Sequence, residues 1–253
     1  LWRYRELLYT WTLRDIQVRY KQSLLGAAWA VLQPLSLMVA FSLIFTRLVR
    51  IPTGDVPYPV FSYCGLLPWT FFGTSVSFGS TSLVRNLNLV TKVYFPREIL
   101  PLGAIGAALL DFAVASLIFA GLLVVYGVPV RMSYLWTPVL ILLNIVLAAA
   151  VTLAAAAVMV FYRDVRFVVP LGLQLWMYAT PVIYPLDLIP ERLRVFYLLN
   201  PMAGIIASYR RVILSGRSPD PATLGSAAAL SVGLLAFAYW LFRRTEWRFA
   251  DVI

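Results

Sequence analysis

Six stretches of this chain run for at least 20 residues with almost no charge, and no other feature limits its fold so strongly. Residues 22–46, 56–84, 132–162, 167–186 and 221–242 carry no Asp, Glu, Lys or Arg, and 99–130 carries only Asp111. As a helix, about 20 apolar residues at ~1.5 Å each cross a hydrocarbon core of roughly 30 Å. A membrane barrel would need alternating segments about 10 residues long, and these runs do not alternate. The expected fold is therefore all-α: a polytopic membrane protein with six transmembrane helices in one domain, residues 1–253. Trimmed to their most apolar parts, the spans fall near 29–48, 60–80, 99–126, 136–161, 167–184 and 222–242.

Composition agrees with this reading. Hydrophobic residues make up 61% of the chain and charged ones 13%, with mean hydropathy +0.83. A soluble domain carries about a quarter charged residues, so this chain lacks the polar surface to coat a water-soluble globule. A soluble enzyme, a disordered chain and a disulfide-rich secreted module are excluded. The basic excess, 21 Lys and Arg against 11 Asp and Glu, then reports membrane orientation rather than nucleic-acid binding. With the N-terminus inside, the inner segments 1–21, 81–98, 162–166 and 243–253 hold thirteen basic residues. The two short outer loops hold three, Arg47, Arg50 and Arg131. Both termini are expected in the cytoplasm. The chain opens on Leu1 rather than Met, and a few residues are expected to precede it.

Three further segments are not spans. In 1–21, Tyr4, Leu7, Leu8 and Trp11 form an i, i+3, i+4, i+7 stripe, which suits an interfacial helix with snorkelling arginines. A plain positive orientation signal fits the same residues. The inner loop 85–98 carries Leu87, Leu89 and Val90, enough for a short helix ending before Pro96, which then sits in the first turn of span three. Its apolar cluster Val93-Tyr94-Phe95 speaks against a merely solvated connector. Between spans five and six, Pro190-Glu191 can open a short helix running to Leu199. Asn200-Pro201 reads as an N-cap and N1 proline opening a second helix, which Gly216 ends. Ile205, Tyr209, Val212 and Ile213 share one face of it, while Ser208, Arg210 and Arg211 leave that face. Too short and too proline-broken to cross, 186–217 is expected to be a re-entrant hairpin.

The chemistry available is sparse. There is no His and one Cys, Cys64, so the commonest general base is missing and neither a disulfide framework nor a cysteine metal site can form. No G-x-x-x-x-G-K-[ST] loop is present to cradle nucleotide phosphates. Asp111 alone lies deep in a span, either as a functional intramembrane acid or as a structural group bonded to another helix. Aromatic residues are the richer resource. Tyr58, Phe61, Tyr63, Trp69, Phe71 and Phe72 crowd the expected outer half of span two, and Trp176, Tyr178 and Tyr184 the outer half of span five. They fit a lipid-facing belt or a conduit whose flat rings stack on sugar faces.

Several of these segments together resemble the polysaccharide-export permeases, the membrane subunits of type 2 ABC exporters that move O-antigen, capsule or teichoic acid chains. The run from Arg14 to Gly26 (RDIQVRYKQSLLG), followed by Trp29 and Gln33-Pro34, is similar to their N-terminal segment. Residues 89–98 (LVTKVYFPRE) resemble their first cytoplasmic loop. Tyr162-Arg163-Asp164, the run 180–185 (TPVIYP), Asn200-Pro201 and Tyr209-Arg210 match the later part.

The resemblance implies a subunit of the cytoplasmic (inner) membrane with no catalytic residues, metal or cofactor of its own. ATP and Mg would sit on two separate ATPase subunits. It further implies a homodimer with the pore between two copies, carrying a lipid-linked polysaccharide and no nucleic acid. Leu89, Lys92, Val93, Tyr94, Phe95, Arg97 and Glu98 would couple to the ATPase. Arg14, Arg19 and Lys21 would attract the lipid pyrophosphate at the inner mouth, with the aromatic residues named above along the pore. Asn200, Tyr209, Arg210 and Arg211 would belong to an outer gate. The alternatives are an ABC exporter of a small hydrophobic drug or lipid, an ion-coupled transporter using Asp111, and a membrane glycan-lipid transferase.

Overall fold

A computed structural model describes residues 4–21, 26–45, 56–93, 95–185, 190, 197 and 199–249. Among the described residues the chain is helical, with no strand: α1 (Arg5–Tyr20), α2 (Trp29–Ile44), α3 (Tyr58–Ser80), α4 (Ser82–Arg85), α5 (Leu87–Lys92), α6 (Ile99–Val125), α7 (Thr137–Phe161), α8 (Val165–Ala179), α9 (Pro201–Ile213) and α10 (Pro221–Thr245). A helix covers most of each of the six uncharged runs, α8 starting before its run at Val165 and α10 continuing past its own to Thr245. Among the described residues, three helical stretches, Ile99–Val125, Met132–Phe161 and Pro221–Arg248, are long and apolar enough to cross a membrane by length and composition. Shorter apolar helices cover Val31–Ile44 and Val165–Ala179.

Local chemistry sets the helix ends. Asn200 and Asp220 cap α9 and α10, and each accepts backbone N–H from the first turn while a proline occupies N1. Helix α8 stops at Ala179, short of the run reaching 184 in the sequence reading. Thr180 precedes Pro181 and is extended (φ −106°, ψ 139°), because a proline ring disfavours the helical conformation of the residue before it. Pro68 lies inside α3, which runs on through it, and Asn144 of α7 donates to its carbonyl at 3.0 Å. A neighbouring helix thus adds a polar contact beside the proline, whose missing N–H frees the carbonyl of Cys64 rather than its own.

Helix α3 is the hub, packed on α2, α6, α7, α8 and α9. Its buried side chains include Val60, Tyr63, Leu66, Phe72 and Val76, the centre of the main core. A second core sits where α6 begins and α10 finishes, built from Leu83, Val90, Leu100, Leu153, Val160, Phe242 and Phe249. This is the terminal end of the molecule; the start of α3 and α9 lie at the opposite end.

Helix α1 packs along the first turns of α6. Gly103 and Gly106 make this possible: a Cβ on Gly103 would lie 2.7 Å from Trp11 Cδ1, and one on Gly106 2.8 Å from Thr12 Oγ1. No α1 residue is buried. Its Trp11 edge is docked on protein, and Leu7, Tyr9 and Leu13 remain exposed.

Candidate functional site

The parallel course of α1 beside α6 carries charge into the bundle. Arg19 forms an ion pair with Asp111, and Tyr20 donates its hydroxyl to the other carboxylate oxygen. The Arg19 guanidinium also lies 4.2 Å from the Phe78 ring centroid. Burial, with the Asp111 bond second, holds the Tyr20 phenol up at about 12, so it stays a donor at neutral pH. Asp111 is thereby bonded to another helix. The group borders a cavity of ≈300 Å³ whose wall includes Trp29, Gln33, Thr70 and Phe71.

Arg14 is exposed and donates to Asn86 Oδ1 at 3.2 Å while resting 4.2 Å over Trp11. Lys21 is exposed at the end of α1. The three basic residues that the sequence pools as one cluster therefore differ. Arg19 is engaged with Asp111 and also lines the adjoining polar cavity that Arg14 faces, and Lys21 lines neither.

At the terminal end, α5 is anchored by Val90, which is buried in the second core. Leu89 is half-buried, and Leu87, Lys92 and Val93 are exposed. Tyr94 lies outside the described residues. Val93, Phe95 and Arg97 form one wall of a groove of ≈480 Å³, with Tyr4, Glu246 and Trp247 on the other. Arg97 ties this loop to the end of α10. Its guanidinium donates to the Glu246 carbonyl and, at 3.3 Å, to the Val90 carbonyl, while its backbone N–H reaches Glu246 Oε1 at 3.4 Å. Glu246 also pairs with Arg243 at 2.8 Å. Glu98 is 4% exposed, with one carboxylate oxygen unpartnered among the described residues.

Most of the aromatic residues proposed for a pore lie inside one chain. Tyr58, Phe61, Tyr63, Trp69, Phe71 and Phe72 are all buried. Tyr63 stacks on Phe119 at 5.5 Å and donates to the Ala115 carbonyl. Phe71 meets Phe112 edge-on at 5.5 Å, and Phe72 meets Trp176 edge-on at 5.1 Å. Trp176 and Tyr184 are half-buried and Tyr178 is exposed.

At the opposite end, the residues of the proposed gate form a polar scaffold. Arg210 donates to the carbonyls of Pro181 (2.7 Å), Val182 (2.6 Å) and Tyr184 (3.2 Å), with its guanidinium 3.7 Å over Phe61. Gly65 leaves the room: a Cβ there would collide with the Val182 carbonyl and lie 2.8 Å from Arg210 Nη2. Asn200 joins three elements. Its Oδ1 caps α9 and accepts from Trp176 Nε1 at 3.0 Å, and its Nδ2 donates to Thr180 Oγ1 at 2.9 Å. Tyr209 is buried with its hydroxyl unpartnered among the described residues, and exposed Arg211 donates to the Ser218 carbonyl. Ile205, Val212 and Ile213 are buried as their spacing predicts; Ser208 is buried too, its hydroxyl satisfied by the Gly204 carbonyl. Apart from Pro190, Tyr197 and Leu199, the first helix expected in the hairpin lies outside the described residues.

Sequence reasoning missed several partners. Glu246 completes the Arg97 tie, and Arg131, Ser133 and Tyr134 donate to carbonyls 215, 212 and 213 at the end of α9. The pairing has no local signal, because the bonded residues stand 79 to 149 positions apart. Asn144, a lone amide in an apolar run, did carry one.

Residues 6–214 match the ABC-2 type transporter family. The chain is 36% identical to the O-antigen export system permease protein RfbA of Myxococcus xanthus, across 100% of this chain and 97% of that protein. RfbA of Klebsiella pneumoniae is 29% identical over 98% and 95% of the two chains. The polysialic acid transport protein KpsM of Escherichia coli is 23% identical over 92% and 91%.

Proposed function

The chain belongs to the ABC-2 type transporter family, and from that premise we propose that it is the membrane subunit of an ATP-driven polysaccharide exporter in the inner membrane. Likeness to O-antigen export permeases along the full chain supports this reading. In it, α2, α3, α6, α7, α8 and α10 are the six spans, and both termini face the cytoplasm. Two copies enclose the pore, and two ATPase subunits bind ATP and Mg. The substrate is a glycan carried on a lipid pyrophosphate. Helix α1 lies at the cytoplasmic interface, and 186–217 forms the gate hairpin at the outer mouth.

The observation that carries the mechanism is the Arg97 tie. Through it, one side chain bridges α5, the start of α6 and the end of α10. A push from an ATPase on exposed Leu87, Lys92 and Val93 reaches two long helices at once instead of dissipating in a loop. Val90 keeps α5 seated while it moves. At the other end, Arg210 and Asn200 make the turn after α8 and helix α9 a single unit, so a displaced α8 carries the gate with it. The rings that contact the glycan are the accessible ones, Tyr178 and Trp29, with Trp176 and Tyr184 at the margin; the buried α3 aromatics brace the wall behind them. With Asp111 bonded to Arg19 and Tyr20, the drive comes from ATP rather than from an ion titrating that acid.

Co-expression with candidate ATPase subunits, purification and a glycan-export assay test this reading. A stable complex exporting glycan only with hydrolysable ATP is the expected result. Transport by the chain alone, with no ATPase bound, would overturn it. Replacing Tyr94 and Phe95 with Ala should leave hydrolysis running without export.

A further inference from the structure

At the end of the molecule away from the termini, three arginines converge on the turn that follows α9. Arg131 reaches in from the connection between α6 and α7, its Nη1 donating to the Ser215 carbonyl at 2.9 Å. Gly216 (φ 65°) gives it room, because a Cβ there would collide with Arg131 Cδ. Arg211, on the last turn of α9, donates from Nε to the Ser218 carbonyl at 2.7 Å. Arg217 stands between those two anchors in sequence. Its side chain is exposed and makes no hydrogen bond or ion pair among the described residues. Ser215 and Ser218 are three residues apart, so their Cα atoms lie within about 11 Å of each other.

Capping explains part of this cluster. Cations and donors are favourable at a helix C-terminus, and Ser133 and Tyr134 satisfy the Val212 and Ile213 carbonyls in the same way. Arg131 and Arg211, however, each spend one N–H of five on it, and the Arg217 side chain spends none. Among the described residues the acid that bears on Arg211 is Asp220, whose Oδ2 is already engaged by the N–H and hydroxyl of Thr223. The cluster therefore keeps net positive charge and unused donors, and all three arginines are exposed.

The surroundings select the ligand. Val130 and Met132, on either side of Arg131, are 82% and 84% exposed, and Leu135 is exposed as well. Apolar side chains beside guanidinium groups suit the boundary of a bilayer, where the former meet acyl chains and the latter reach the phosphate layer. A soluble anion or an acidic polysaccharide would meet the charges but has nothing to cover Val130 and Met132.

We propose that Arg131, Arg211 and Arg217 bind the headgroup phosphate of an anionic phospholipid in the leaflet facing away from the termini, holding the α6–α7 connection against the end of α9. In the exporter reading, on which the choice of leaflet rests, this is a resident lipid of the outer leaflet that steadies the gate helix. It is separate from the lipid-linked substrate, which enters at the inner side.

The test titrates the purified complex with its ATPase subunits, in a neutral detergent, with phosphatidylglycerol, phosphatidylcholine or sodium phosphate. Melting temperature and lipid retention in native mass spectrometry are the readouts. Phosphatidylglycerol should raise the melting temperature and stay bound; the other two should do neither. Arg217→Gln should weaken phosphatidylglycerol binding by about fivefold or more, the scale of one cation at a lipid surface, and Arg217→Lys should restore most of it. Without phosphatidylglycerol the Arg217→Gln variant should melt with the wild type, which separates lost binding from lost folding. Equal stabilisation by phosphatidylcholine or by sodium phosphate would overturn the site. So would unchanged phosphatidylglycerol affinity in a variant combining Arg131→Gln with Arg217→Gln. If the wild-type complex exports glycan alongside that result, only this inference fails. If lipid binding follows the charges while no glycan is exported, the exporter reading fails instead.

Discussion

Arg19 at the end of α1 and Asp111 in the middle of α6 form an ion pair that joins residues 92 positions apart. Their side chains are 13% and 16% exposed, so neither charge has ready access to water. Removing one partner from such a pair strands the other and costs about 3 kcal/mol or more. Asp111→Asn is therefore expected to lower the melting temperature of the detergent-solubilised protein and to open α1 to proteolysis. The exchanged pair Arg19→Asp with Asp111→Arg should recover part of both. Export by the wild type should not respond to collapse of the proton gradient, which vesicle transport assays with an uncoupler would show.

Arg210 satisfies three carbonyls with one planar group. Arg210→Ala should cost about 2 kcal/mol or more, the scale of hydrogen bonds to a charged donor. Arg210→Lys should recover less than half of the loss, since an ammonium cannot present the same fork. Denaturation midpoints of the two variants give the comparison.

Asn200 both caps α9 and donates to Thr180. Asn200→Ala should destabilise by about 1 to 2 kcal/mol. Asn200→Asp keeps the cap but loses the amide donor, so it should fall between wild type and Ala in thermal melts.

Arg97 links the α5 loop to the end of α10. Arg97→Ala should leave ATP hydrolysis near normal while glycan exported per ATP falls about tenfold, equivalent to ~1.4 kcal/mol of lost coupling. Parallel hydrolysis and export assays on one preparation decide it. Equal losses in both would mean a structural role only.

Asp220 caps α10, accepting from the Thr223 hydroxyl at 2.7 Å and its N–H at 2.9 Å. These bonds hold its carboxyl below the ordinary value of 3.8. A lowered folded-state pKa means the stabilisation is complete above that ordinary value and disappears as pH falls through the folded one. Acid should fray the start of α10 below about pH 4. Asp220→Asn should flatten that part of the pH profile in hydrogen-exchange measurements.

Much of the local structure was legible in the residues. The uncharged runs located the long helices, Asn200-Pro201 marked the start of α9, and Gly216 sits at φ 65° just beyond its end. These features depend on neighbours within one or two turns, where spacing and cap chemistry suffice. The roles of the aromatic residues were less legible. Tyr63 and Phe72 are as apolar on a lipid-facing or pore-lining surface as in a core, and only packing against Phe119 and Trp176 placed them inside.

The sequence by itself determined that this chain is a helical membrane protein and roughly where its long helices lie, because hydropathy and capping act over a few residues. Tertiary structure alone decided which charges are spent and which are available. Arg14, Arg19 and Lys21 lie within eight residues of one another and look alike in sequence. Once Trp11 settles on Gly103, the screw of α1 turns Arg19 toward Asp111 and leaves Arg14 beside Asn86. A charge's partner depends on how closely two backbones approach, and here the missing Cβ atoms of Gly103 and Gly106 set that approach.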